Sequence, residues 1–146
     1  MSAFLAIRDA AMGVLSAPPA LAGGNIRGGR LVPVAKETQQ AIEITLRRSN
    51  ANEQLLEQGL LQWSTQIGLE LYARTTGSDG ETAIDALLAA VFARFAAAAP
   101  PTGAIGWSLN PAVAWAIDEA DQTITQASVS LNVTHFTNLD LTAVAV

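Results

Sequence analysis

The chain has 146 residues, no cysteine and a formal charge of −5. That length suits one domain with a core of its own, and the missing thiols exclude disulfide frameworks, cysteine nucleophiles and thiolate metal sites. The acidic balance argues against a general nucleic-acid-binding surface, and no apolar run reaches the ~18 residues that a membrane helix needs.

In chain order, residues 2–16 read as an amphipathic helix. Phe4, Ile7, Ala11, Val14 and Leu15 gather on one face, and Pro18 and Pro19 end the segment. Arg8 projects from within that apolar arc, so it must snorkel or meet an acidic partner. The same segment lacks a basic leading region and makes a poor signal peptide. The glycine-rich stretch 23–29 reads as a connector. It leads to a short strand at 30–34, where Pro33 points to a sheet edge.

Five of the eight basic residues (Arg27, Arg30, Lys36, Arg47 and Arg48) fall in one region. Glu37 and Glu43 dilute it and no aromatic platform accompanies it, so a solvated basic face accounts for it better than an anion site. Ile42, Ile44 and Leu46 alternate with Glu43, Thr45 and Arg47, the pattern of a half-buried strand. Residues 48–61 read as a polar loop with a helix-compatible piece near 53–58.

The segment 63–74 alternates strictly. Trp63, Thr65, Ile67, Leu69 and Leu71 point one way, and Ser64, Gln66, Gly68, Glu70 and Tyr72 the other. After the break at 76–80, a second helix is expected from Asp79 or Gly80 to about residue 98. Its large stripe is Ile84, Leu87, Leu88, Val91 and Phe95. A second stripe of Ala83, Ala86, Ala90, Ala93 and Ala97 fits a closely approaching neighbour and an exposed face kept for helix propensity equally well.

Short strands are expected at 105–109 and 113–117, then an acidic turn at 118–121. A last long strand at 127–136 has Ala127, Val129, Leu131 and Val133 inward. Strands come in runs, without βαβ alternation, so the expected class is α+β: a mostly antiparallel sheet with two helices on one face. The whole chain, 1–146, reads as one domain, with 138–146 as a flexible or docking tail.

Candidate chemistry is thin. The 23–29 glycines lack the Lys-Ser/Thr pair of a phosphate loop. Gly106-Trp107-Ser108 approximates a nucleophile elbow, with Asp118 or Asp121 and His135 following in hydrolase order. The second glycine is absent and Pro111 stands where a helix should begin. His135, the only histidine, continues the inward phase of its strand. A core-edge imidazole bonded to backbone is the simpler reading. Asp118, Glu119 and Asp121 have no calcium-loop pattern. No catalytic residue, metal site or cofactor is expected.

The order of these elements resembles that of the lambda-type tail terminator proteins of long-tailed bacteriophages, the minor tail protein U family. The features that carry the resemblance are the N-terminal helix and Gly29-Arg30-Leu31-Val32-Pro33. With them go the strand from Gln62 to Arg74, the helix at 81–98, Trp115-Ala116-Ile117-Asp118-Glu119-Ala120-Asp121, and the Ser/Thr-faced strand closing on His135-Phe136. The resemblance covers nearly the whole chain, and its motifs are patterns of residue type, without invariant chemistry.

It implies a subunit of a six-membered ring that caps the tail tube, ends its elongation and offers a surface for head attachment. The implied partners are further copies of the chain, the major tail tube protein and the head–tail connector. DNA passes through without specific binding and no membrane is involved. The implied location is the head-proximal end of the virion tail, assembled in the host cytoplasm. Arg8 and the alanine stripe are the residues expected at subunit contacts. Three rival readings stand beside it: another head–tail joining protein of the same fold, a small hydrolase using Ser108 and His135, and a binding module pairing through the 30–34 edge.

Overall fold

Period-two alternation becomes the strands of one sheet, and helical periodicity becomes the two helices that cover it. In chain order the elements are α1 (Ala3–Ser16), β1 (Ile26–Gly28), β2 (Gln40–Asn52), β3 (Leu60–Arg74), α2 (Gly80–Ala97), β4 (Ala104–Leu109), β5 (Ala114–Ile117) and β6 (Ile124–Asn138). The computed structural model describes residues 1–29, 38–52, 59–75, 79–117 and 123–144. The strand expected at 30–34, the helical piece near 53–58 and the acidic turn at 118–121 lie outside the described residues.

The sheet runs β1-β2-β3-β6-β4, with β5 also on β6. Among the described residues only the β1–β2 pair is parallel. At its centre, β3 and β6 pair without a register shift, from Leu60 opposite Asn138 to Arg74 opposite Ile124. Strict alternation on both strands permits this, because a one-residue slip would turn every apolar side chain to the wrong face. Strands β4 and β5 share the far side of β6 as two short pieces interrupted at Asn110-Pro111.

Both helices lie on one face. Ile7, Ala11 and Leu15 of α1 and Ile84, Leu87, Val91 and Phe95 of α2 form a single core with Ile42, Ile44, Ile67, Leu69, Leu71, Ala127, Val129, Leu131 and Val133. The α+β class and the one-sided helix layer therefore stand as expected. Asp79 caps α2 by accepting from the Glu81 amide at 3.0 Å and the Thr82 hydroxyl at 2.9 Å. The Thr82 bond and then the Glu81 amide hold its carboxyl below the usual range. At the other end of α2, the Trp107 indole donates to the Ala98 carbonyl at 3.1 Å and stands edge-on to Phe95. Residues 138–144 turn back along β6, and Leu141 accepts from the Ala3 amide at 3.0 Å.

Strand β2 corrects the sequence reading in three ways. It continues to Asn52, where a polar loop was expected to start at residue 48. A register shift between Leu46 and Arg48 makes Arg47 the extra residue of a bulge and leaves Leu46, expected inside, 38% exposed. Glu43, expected outside, is 2% exposed. The connector at 23–29 also contains an element: Ile26–Gly28 is a strand parallel to β2.

Gly80 sits where α2 meets β6. A Cβ built there would press on the Thr125 hydroxyl and lie 3.0 Å from the Thr125 Cβ. Helix propensity alone favours alanine over glycine by up to ~1 kcal/mol, but overpacking costs about 1–3 kcal/mol. Gly80→Ala should therefore lower the urea unfolding midpoint, and adding Thr125→Ala should restore it. A raised midpoint in the single variant would show that the contact yields freely.

Candidate functional site

Ser108 and His135, the two described residues of the hydrolase reading, do not converge. Ser108 stands opposite Asn132 on β6, whereas His135 opposes Trp63 on β3. Positions 132 and 135 differ by an odd number, so the strand's period of two directs them to opposite faces. Ser108 is exposed on the face away from the helices and His135 is buried beneath α1. A proton cannot pass directly between them.

His135 instead belongs to a buried polar chain. Its Nε2 lies 2.7 Å from the Thr65 hydroxyl, which lies 2.9 Å from that of Ser49. The partner is thus a side chain, not the backbone group expected. Nδ1 is buried without a hydrogen-bond partner among the described residues. Placing the proton on Nε2 leaves only a lone pair unpaired at Nδ1, with the Thr65 hydroxyl donating its hydrogen bond to Ser49. Phe4 packs edge-on against both His135 and Trp63, and the Trp63 indole donates to the Thr137 hydroxyl at 3.0 Å. Burial pushes the imidazole pKa down to about 4. The group is neutral near pH 7 and held within the fold.

The open face of the sheet carries an ionic network that alternation assigned to solvent. Glu43 and Glu70 are cross-strand neighbours. The Tyr72 hydroxyl donates to Glu70 at 2.5 Å and lies 3.5 Å from Glu43. Arg27 pairs with Glu43 at 3.3 Å and Arg47 with Glu70. Two adjacent carboxylates repel unless cations balance them, and these arginines do so. Ala41, Tyr72 and Ile124 form a small apolar cluster beside the network. Further along this face, Gly68, Ser128 and Ser130 floor a shallow trough of about 400 Å³ bordered by Arg47 and residues 112–114.

Among the described residues, no group of three or more His, Asp or Glu side chains is placed to hold a metal ion. No helix among them is long and apolar enough to cross a membrane.

The geometry that remains consists of surfaces. Arg8 reaches Asp9 at 3.0 Å and lies against Gly28, so the acidic partner its position demanded is its own neighbour in the chain. Ala86, Ala93 and Ala97 are exposed on α2, while Ala83 and Ala90 are half-buried. At the β5 edge all four residues are exposed, including Trp115 and Ile117.

A known virion chain has this fold. It belongs to the virion of a native gene transfer agent (GTA) particle and superposes with a TM-score of 0.65 at 15% identity, over 92% of this chain and 98% of that one. No family model and no curated protein matches the sequence. At that identity the likeness is one of fold. It extends nearly end to end in both chains.

The signals that sequence reading missed are all non-local. The Arg94 guanidinium, which donates from α2 to the Val14 carbonyl of α1, the Ser49–Thr65–His135 chain and the Glu43–Tyr72–Glu70 network each join residues far apart in sequence. The exposed indole of Trp115 had one signal: Pro111 and the neighbouring acidic run mark 114–117 as an edge strand.

Proposed function

We propose that this chain is a structural subunit of a phage-type virion and, more narrowly, a tail terminator. The observation that carries the reading is the fold shared with a chain of the GTA virion over nearly the full length of both. The sequence resemblance to lambda-type terminators supports the narrower role. In this reading copies of the chain close into a ring, six-membered by the resemblance. The ring stops growth of the tail tube, meets the head–tail connector on its other side and lets DNA pass without gripping it. The formal charge of −5 suits that passage, because a net negative surface repels phosphates and displaces no counterions from DNA. The exposed alanines of α2 allow a neighbour to approach closely, and Arg8 lies at the rim of the α1–β1 contact. The subunit works through surfaces, without catalysis or a cofactor.

The test is genetic and structural. Deleting the gene from its phage or particle should yield overlong, headless tails, visible by electron microscopy. Normal-length headless tails would assign the chain to head joining instead. In vitro, the purified chain should sediment as a ring and should shorten tubes formed by its cognate tube protein. A chain that stays monomeric with and without tube protein would remove the ring.

A further inference from the structure

The two edges of the sheet differ in charge. At the β1–β2 edge, the bulge turns two consecutive arginines to the open face. Arg47 lies over Gly68 and pairs with Glu70. Arg48 stands opposite Gln66 on that same face, exposed and without an ion pair among the described residues. At the far edge, α2 and β5 border an open groove of about 530 Å³ lined by Asp79, Glu81, Thr82, Asp85 and Trp115. Between residues 75 and 123 the sequence holds six acidic residues and one basic residue, Arg94.

Helix chemistry explains part of this groove. Asp79 is the cap, and Glu81 complements the helix dipole. Neither effect accounts for Asp85, which lies beyond the first turn, or for an indole left 46% exposed. An aromatic face beside free carboxylates is the setting that a guanidinium fits. It stacks on the ring while its planar fork meets the acid.

We infer that the acidic groove between α2 and β5 of one copy receives Arg48, with Arg47 beside it, from the opposite sheet edge of the next copy. The inference rests on the ring reading above and names the surfaces that meet. A groove and an insert on opposite edges of one chain make a head-to-tail contact, which repeats around a ring until it closes. The groove opens on the helix side of the sheet and Arg48 projects from the other side. Neighbouring subunits therefore overlap like tiles, without joining their sheets edge to edge.

The test is a charge swap on the full chain, read by sedimentation and native mass spectrometry. Arg48→Glu and Asp85→Arg should each weaken association roughly tenfold or more. Trp115→Ala should do the same, and added salt should weaken the wild-type assembly. Combining Arg48→Glu with Asp85→Arg in one chain should recover much of the assembly, which also shows that the altered chains fold. If wild type forms a ring and all three single variants form it equally well, the inference is overturned and the ring stands. The same holds if those variants lose only their binding to tube protein, which would give the groove to that protein. A wild-type chain that never assembles removes the ring reading, and this contact with it.

Discussion

Replacing Arg94 with alanine should cost the fold about 3 kcal/mol, within the range for lost hydrogen bonds to a charged donor. The guanidinium, carried by the last turn of α2, donates to the Val14 carbonyl at 3.1 Å and the Ala17 carbonyl at 2.8 Å, and also to that of Pro19. These acceptors lie in the last turn of α1 and just beyond it. The final carbonyls of a helix have no intrahelical donors and carry the negative end of its dipole. One cation from α2 thus closes the end of α1 and ties the two helices together above the sheet. Arg94→Lys should recover only part of the loss, because its three N–H groups share one nitrogen on a flexible stem, whereas the rigid guanidinium spreads these bonds over Nη1 and Nη2. Urea unfolding of the three proteins tests this, with faster amide exchange expected in the last turn of α1 in the alanine variant. An unchanged midpoint for Arg94→Ala would show that water replaces the arginine at no cost.

Acid should weaken the protein through His135. Its imidazole pKa is about 4 in the folded chain and 6.5 as the ordinary value. The unfolded chain therefore takes up a proton first as pH falls. Stability from this group is complete above pH 6.5, declines between 6.5 and about 4, and levels off below that. The full loss is about 3 kcal/mol at 1.36 kcal/mol per unit. Burial is the cause, since the rings of Phe4 and Trp63 and the Thr65 hydroxyl surround the imidazole and offer no anion. With one histidine in the chain, its NMR titration is unambiguous. A midpoint near 6.5 in the folded protein would overturn the assignment. His135→Leu should unfold with a shallower pH dependence between 6.5 and 4 than wild type.

The opposite faces of Ser108 and His135 have a wider consequence for this chain. The order Ser…Asp…His is a one-dimensional pattern, and a strand converts an odd spacing into separation across the sheet. The same rule put Leu69 and Val129 in the core and Ser64 and Ser130 outside it, and it did so without tertiary information.

Where a residue's fate depended on its immediate neighbours, it was legible in the sequence. The two helices, their buried stripes, the Asp79 cap and the inward phases of β3 and β6 follow from local periodicity and capping chemistry. Even the one-sided helix layer follows, since only one sheet face is apolar enough to need cover. Where the fate depended on a partner distant in sequence, only the tertiary structure decided it. The bulge at Arg47 arises because β2 must pair with β3 on both sides of a change in phase. Glu43 is buried because Arg27 and Tyr72 reach it from other strands. Trp115 and Arg48 came to lie on opposite edges because β6 inserts between β3 and the β4–β5 pair. Local periodicity sets which way a side chain points, but strand order sets what it meets. The assembly surfaces proposed above depend on strand order.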